Sequence, residues 1–195
     1  MAGATHRVDD YRACMDLLEQ LVANNQHHAQ DGFVPGLKML PTGRTMIIGC
    51  VDPRVDPMDV LGLQPGQAAI IRNVGGRVTP ALLQTLGILR VVTQSAGGTV
   101  GDGWNLIVLQ HTDCGIAGCL RLAPALIANY MGVDESGLDA LSITEPRGAV
   151  IRDVAALKAN PNLPGGFMVT GMVYDVATGL VETVVPPALL RAATT

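Results

Sequence analysis

Aromatic side chains are scarce: Trp 1, Tyr 3 and Phe 2 make up 3% of the 195 residues. Charge is scarce too, at 15% of residues with a net charge of -4, and Lys and Arg gather into no basic stripe. Without aromatic platforms or a cationic face, both means of holding nucleic acid are missing, so nucleic acid is not an expected partner. Every apolar run is interrupted by Gly, Pro or polar residues, which leaves no stretch of the roughly 20 apolar residues that a membrane-spanning helix needs. The opening segment MAGATHRVDDYRACMDLLEQ carries Asp9 and Asp10 and no apolar core of a secretory leader. The four cysteines, Cys14, Cys50, Cys114 and Cys119, then point to a reducing, cytoplasmic compartment and to metal or thiol chemistry, not to a disulfide framework. No C-x-x-C pair is present, which sets aside thiol-redox chemistry of that type, and the glycine-rich stretch 97–103 lacks the Lys-Ser/Thr ending of a phosphate loop.

What the chain does have is apolar mass. Hydrophobic residues make up 48%, enough for one domain spanning 1–195 with a real core. Apolar content this high with so little charge points to surface buried beyond that core, as in a homodimer or homotetramer. Residues 9–30 read as an amphipathic helical arm, with Tyr11, Cys14, Leu17, Leu18, Leu21 and Val22 on one side. Short apolar runs at 44–50, 68–72, 105–110, 166–173 and 180–185 read as strands. Helices are expected at 80–95, opened by Pro80, at 115–130 and at 145–160, and 132–142 is expected to be a surface loop. Alternating strands and helices define an α/β fold: a mostly parallel sheet of about five strands flanked by helices, closed by an antiparallel C-terminal hairpin.

Two motifs sit at the ends of apolar strands. In Cys50-Val51-Asp52-Pro53-Arg54, alternate residues of an extended segment face one side, so Cys50, Asp52 and Arg54 can face one site. His111-Thr112-Asp113-Cys114 ends one strand and opens a helix. Ligands of open parallel sheets gather beyond the carboxyl ends of the strands. Two thiolates and one imidazole are a good zinc set that leaves a fourth position open. Taken singly, a buried Cys is usually a small hydrophobe and a strand-end His a hydrogen-bonded core residue; it is the two motifs together that are specific. Gly75 and Gly76 allow either a close backbone approach to a small site or a plain tight turn. Asp113 is expected to cap the following helix, Cys14 to lie in the core and Cys119 to be a spare thiol, while His27 and His28 are expected to be solvated.

Cys50–Arg54, Arg72-Asn73-Val74-Gly75-Gly76 and His111–Cys114 resemble, in order and spacing, the signature blocks of the β-class carbonic anhydrases, and 171–182 (GMVYDVATGLVE) resembles that family's last hairpin. The resemblance implies Zn2+ held by Cys50, His111 and Cys114, and an aspartate–arginine dyad of Asp52 and Arg54. It implies Gly75 and Gly76 near the substrate, and reversible hydration of carbon dioxide to bicarbonate and a proton by a zinc-bound hydroxide. Release of Asp52 by Arg54 would let Asp52 become a fourth ligand in a closed state. The shortness of the chain resembles the compact branch, which includes carbonyl sulfide and carbon disulfide hydrolases using the same zinc site. Pro53 replaces the family's usual serine, and Ile47 stands where members with a regulatory bicarbonate site carry tryptophan. A non-catalytic zinc protein is the remaining alternative, and the Asp52–Arg54 pair argues against it, since a closed structural site needs no dyad.

Overall fold

The computed structural model describes residues 3–191, with side chains from 12 onward. The chain divides after Leu37 into two compact units.

The first unit is built on helix α1, Gly3–Asp31, longer at its start than the expected 9–30. From residue 12 every side chain of α1 is exposed, Cys14 included. The expectation of Cys14 as a core residue is therefore corrected: a single helix offers no second element within its own unit to bury an apolar stripe against. The side chain of Tyr11 lies outside the described residues. His28 is exposed, as is His27, whose Nδ1 lies 3.2 Å from Asp31 Oδ2 one turn on.

The second unit holds a five-stranded sheet in the order β2-β1-β3-β4-β5. The strands are β1 Thr45–Cys50, β2 Ala68–Asn73, β3 Asn105–His111, β4 Met168–Tyr174 and β5 Val181–Leu189. The first three pairings are parallel and β4–β5 is antiparallel. Strand β1 is an interior strand, and Ile47 and Ile48, which point to opposite faces, are both fully buried. Burial on both faces is why the segment reads as an unbroken apolar run. On one face Met46, Ile48, Leu106 and Val108 pack with Leu82 and Leu86 of α3 (Pro80–Ser95) and Val150, Val154 and Leu157 of α6 (Pro146–Ala159). Helix α3 starts where Thr79 accepts a hydrogen bond from the Leu82 amide and Pro80 fills the first turn, and α6 starts on the Glu145 carboxylate.

Several features of the second unit differ from expectation. The helix expected over 115–130 is two, α4 Ile116–Leu122 and α5 Pro124–Met131. Pro124 has no amide hydrogen to continue α4 and restricts the residue before it, so Ala123 leaves the helical region. The loop expected over 132–142 contains a 3-10 helix, Glu135–Leu141, that buries Leu138 against Ile116, Ile127 and Met131. The last strand runs on to Leu189 through Pro186 and Pro187, which fall where the pairing register shifts between Val169 and Gly171, an irregularity on an edge strand that needs no ladder donor from either. A four-residue helix α2, Pro57–Val60, capped by Asp56, follows the first motif.

Candidate metal centre

The sheet order reverses direction at β1: β2 lies on one side of it and β3 on the other. The cleft beyond that switch point is where an open α/β sheet presents its ligands. Cys50 is the last residue of β1 and His111 the last of β3. The turn after His111 brings Cys114 back, with Asp113 at φ 54, a left-handed conformation that aspartate tolerates better than most side chains.

Cys50 Sγ lies 3.8 Å from Cys114 Sγ. The donor atoms of Cys50, His111 and Cys114 all fall within 4.8 Å of one another. A tetrahedron with arms of about 2.3 Å, the usual zinc–sulfur length, has an edge of about 3.8 Å, so the two sulfurs fit such a cation. His111 is 1% exposed, and its Nδ1 lies 2.8 Å from the Thr112 carbonyl. With Nδ1 donating there, Nε2 keeps its lone pair, and that atom is buried with no hydrogen-bond partner among the described residues. An orphaned imidazole nitrogen beside two close sulfurs is a site shaped for a thiophilic cation.

The electrostatics agree. A hydrogen bond from the Cys114 thiol is the largest influence on Cys50 and lowers its pKa, against the opposing effect of burial. The same contact, with burial, pushes Cys114 up. Burial opposes a charged His111, yet the nearby Cys50 sulfur and the Thr112 carbonyl outweigh it and its pKa is raised. Protons thus hold together the negative charge that a cation would otherwise balance.

Beside this cluster, Arg54 grips Asp52 with two parallel bonds, Nε to Oδ1 at 3.0 Å and Nη2 to Oδ2 at 2.7 Å. The Arg54 amide donates to Oδ1 as well, at 3.0 Å. These donors hold the Asp52 carboxyl at about 2. Asp52 Oδ2 stands 4.0 Å from His111 Nε2. Gly75 and Gly76 lie in a 3-10 turn with φ 75 and 60. A Cβ on Gly76 would come within 3.0 Å of the Cys50 amide nitrogen, so the turn is packed directly against the strand that carries Cys50.

Residues 45–132 match the profile of the carbonic anhydrase family. The chain is 31% identical over 176 residues to beta-carbonic anhydrase 1 of Mycobacterium tuberculosis, covering 88% of this chain and all of that one. The chain belongs to the β-carbonic anhydrase family. Among solved structures, carbonic anhydrase from Streptococcus mutans superposes with a TM-score of 0.65 at 32% identity, covering 86% of this chain and 96% of that one. Carbon disulfide hydrolase from an Acidianus species is 25% identical, over 83% of this chain and 88% of its own length.

Within this β-carbonic anhydrase fold, the side chains expected from the sequence, Cys50, Asp52, Arg54, His111 and Cys114, come together at one sheet end, with Gly75 and Gly76 alongside. One expectation is corrected. Asp113 caps no helix, because the N-cap of α4 is Gly115, which offers no side chain; instead Arg54 Nη1 donates to the Asp113 Oδ2 at 2.9 Å. Cys119 is exposed on α4. Sequence reading missed three supports. Arg72 donates to the Cys50 and Asp52 carbonyls at 2.8 and 2.7 Å and pairs with Asp56, so it sets the path of the Cys50–Asp56 loop. Gln110 Nε2 bridges the Gly76 carbonyl and Asp153 Oδ2, both at 2.9 Å. The Tyr130 hydroxyl donates to the Val74 carbonyl at 2.9 Å. Signals existed for one of these, the Gln110–Asp153 link: Gln110 is a polar residue near the end of an apolar strand, and Asp153 interrupts the apolar stripe Val150, Val154, Leu157 of α6.

Proposed function

We propose that the protein catalyses the reversible hydration of carbon dioxide to bicarbonate and a proton, using one zinc ion held by Cys50, His111 and Cys114. The observation that carries this reading is the buried, unpartnered His111 Nε2 facing two sulfurs, with a clamped carboxylate 4.0 Å away. Zinc, when bound, supplies Lewis acidity that makes water nucleophilic near neutral pH. The protein's own groups supply the rest. Cys50 and Cys114 as thiolates, with neutral His111, provide the donor set. Asp52, ionised and held at both oxygens by Arg54, accepts a hydrogen bond from the attacking oxygen through Oδ2 and turns that oxygen's lone pair toward the substrate carbon. Its fixed orientation excludes other poses. Gly75 and Gly76 let the backbone turn pack against the end of β1 and against Ile116, where a Cβ would collide, and so keep that turn beside the cluster.

The reading extends to the setting. The chain acts as one β-carbonic anhydrase-like domain with an N-terminal helical arm, working as a homodimer or homotetramer. Exposed apolar side chains at Leu17, Leu21, Phe33, Ile88 and Val91 support assembly, and two tetrameric fungal β-carbonic anhydrases share the fold. Free cysteines suit a reducing, cytoplasmic location. Among the described residues no helix is long and apolar enough to cross a membrane.

Metal analysis of purified, reduced protein, with stopped-flow carbon dioxide hydration, tests the proposal. One zinc per chain and turnover that Asp52→Asn abolishes, while zinc stays bound, are expected. Folded protein that takes up no zinc, or unchanged turnover in the variant, overturns it. The kinship with carbon disulfide hydrolase supports a second reading, hydrolysis of carbonyl sulfide or carbon disulfide at the same centre. Parallel assays with the three gases separate the two.

A further inference from the structure

Arg54 belongs to the β1 loop, yet half of its side-chain hydrogen bonding goes to the other motif. Its Nε and Nη2 hold Asp52. Its Nη1 donates to Asp113 Oδ2 at 2.9 Å and its Nη2 donates also to the Asp113 carbonyl at 2.9 Å. The guanidinium is thus held on two edges by two aspartates 61 positions apart in sequence, one on each strand end. Asp113 reaches this position only because its backbone adopts φ 54. Left-handed geometry in a non-glycine residue is strained and persists at sites where it serves an arrangement. The turn that presents His111 and Cys114 has therefore been bent so that its exposed middle residue meets Arg54.

We infer that Asp113 is a positioning residue that acts through Arg54. Its carboxylate and carbonyl fix the guanidinium plane, and that plane in turn fixes both oxygens of Asp52 beside the Cys50–His111–Cys114 cluster. An arginine attached only to Asp52 can turn about its own stem and carry the carboxylate with it; a second anchor on the opposite edge removes that freedom. Because the Asp113 side chain is 78% exposed, the anchor is weak singly, and its effect is a several-fold shift and not an all-or-none loss. This inference rests on the function proposed above for the part that concerns turnover.

The test uses Asp113→Asn, since asparagine tolerates the same backbone conformation and keeps the carbonyl contact; Asp113→Gly serves if the first variant is unstable. The primary reading is the rate of hydrogen exchange at Arg54 Nε–H, followed by 15N NMR in full-length protein with and without zinc. That hydrogen bonds to Asp52 and not to Asp113, so an isolated Arg54–Asp113 contact would leave it unmoved. Expected are a threefold or greater acceleration of this exchange, a two- to fivefold fall in kcat with KM unchanged, and no further fall when Asp113→Asn is added to Arg54→Ala. Unchanged exchange at Arg54 Nε, or a kcat effect that adds in full to that of Arg54→Ala, overturns the inference. Wild-type protein without hydration activity would end the functional reading alone, and the exchange rates would still decide the role of Asp113.

Discussion

Arg77 and Asp153 meet inside the second unit, 1% and 2% exposed, with Nε donating to Oδ2 at 2.8 Å. Burial raises the Asp153 pKa, with Arg77 pulling the other way. Gln110 adds a donor to the same oxygen, and Arg77 Nη2 donates to the Leu141 carbonyl. Removing the carboxylate leaves a buried guanidinium uncompensated, so Asp153→Ala is expected to cost about 3–5 kcal/mol in urea unfolding; a loss below about 1 kcal/mol would mean that water reaches the pair. Asp52 titrates in the opposite sense. Its folded pKa of about 2 lies below the ordinary carboxylate value, so the stability it confers is complete above about pH 4 and disappears as pH falls through about 2. Arg54→Gln removes the guanidinium that is the main cause of the shift. The Asp52 titration, read by carboxyl 13C NMR in metal-free protein, is then expected to move up toward 3.8, the ordinary value, and a titration still near 2 would assign the shift to another group. The donors and the dyad were legible in the sequence because their residue types are rare together. The roles of Arg72 and Asp113 were not, because each depends on which backbone carbonyl or guanidinium edge the fold brings alongside.

At the scale of elements, chemistry and architecture meet where the Gly75–Gly76 turn is wedged between the ends of β1 and β3. A Cβ on Gly76 would lie 3.0 Å from both the Cys50 nitrogen and the Gly49 carbonyl carbon, and 3.3 Å from the Leu109 oxygen. Gly76→Ala is therefore expected to destabilise by about 1–2 kcal/mol from the left-handed backbone, plus about 1–3 kcal/mol from overpacking, and to weaken zinc binding by shifting Cys50. Thermal unfolding and zinc competition together check this; a stable variant with altered metal affinity would separate the two effects. The central strands were legible because burial on both faces makes them uniformly apolar, and α3 because Pro80 fills its first turn. Where pattern reading failed, two signals competed. The apolar periodicity over 115–130 continues through Pro124, and the backbone restriction of proline won over it. In β5 the prolines argued against a strand, and a register shift on the sheet edge, which removes the ladder requirement there, allowed one.

Over the whole molecule, the donor set links two neighbouring strands of the sheet. Cys50 ends β1, His111 ends β3 and Cys114 follows it, so a cation bound to all three ties these two neighbouring interior strands together at their carboxyl ends. A ligand that binds only the folded state stabilises it by mass action, about 4 kcal/mol at a thousandfold excess over its dissociation constant. For a chain of this size each kcal/mol is worth about 2–4 °C in Tm, so zinc-loaded protein is expected to melt about 10 °C above protein stripped by a chelator. The gap must also depend on pH, with a fixed sign. The raised pKa values of Cys114 and His111 mean that protons occupy the metal-free cluster and have to leave as the cation enters. Apparent affinity therefore falls as pH is lowered, and the difference in Tm is expected to be widest at about pH 8 and to shrink steadily toward about pH 5.5. Calorimetry of loaded and stripped protein across that range gives the answer directly. A gap independent of pH would mean that the cation is held by groups already unprotonated, and so not by this pair of thiols and this imidazole.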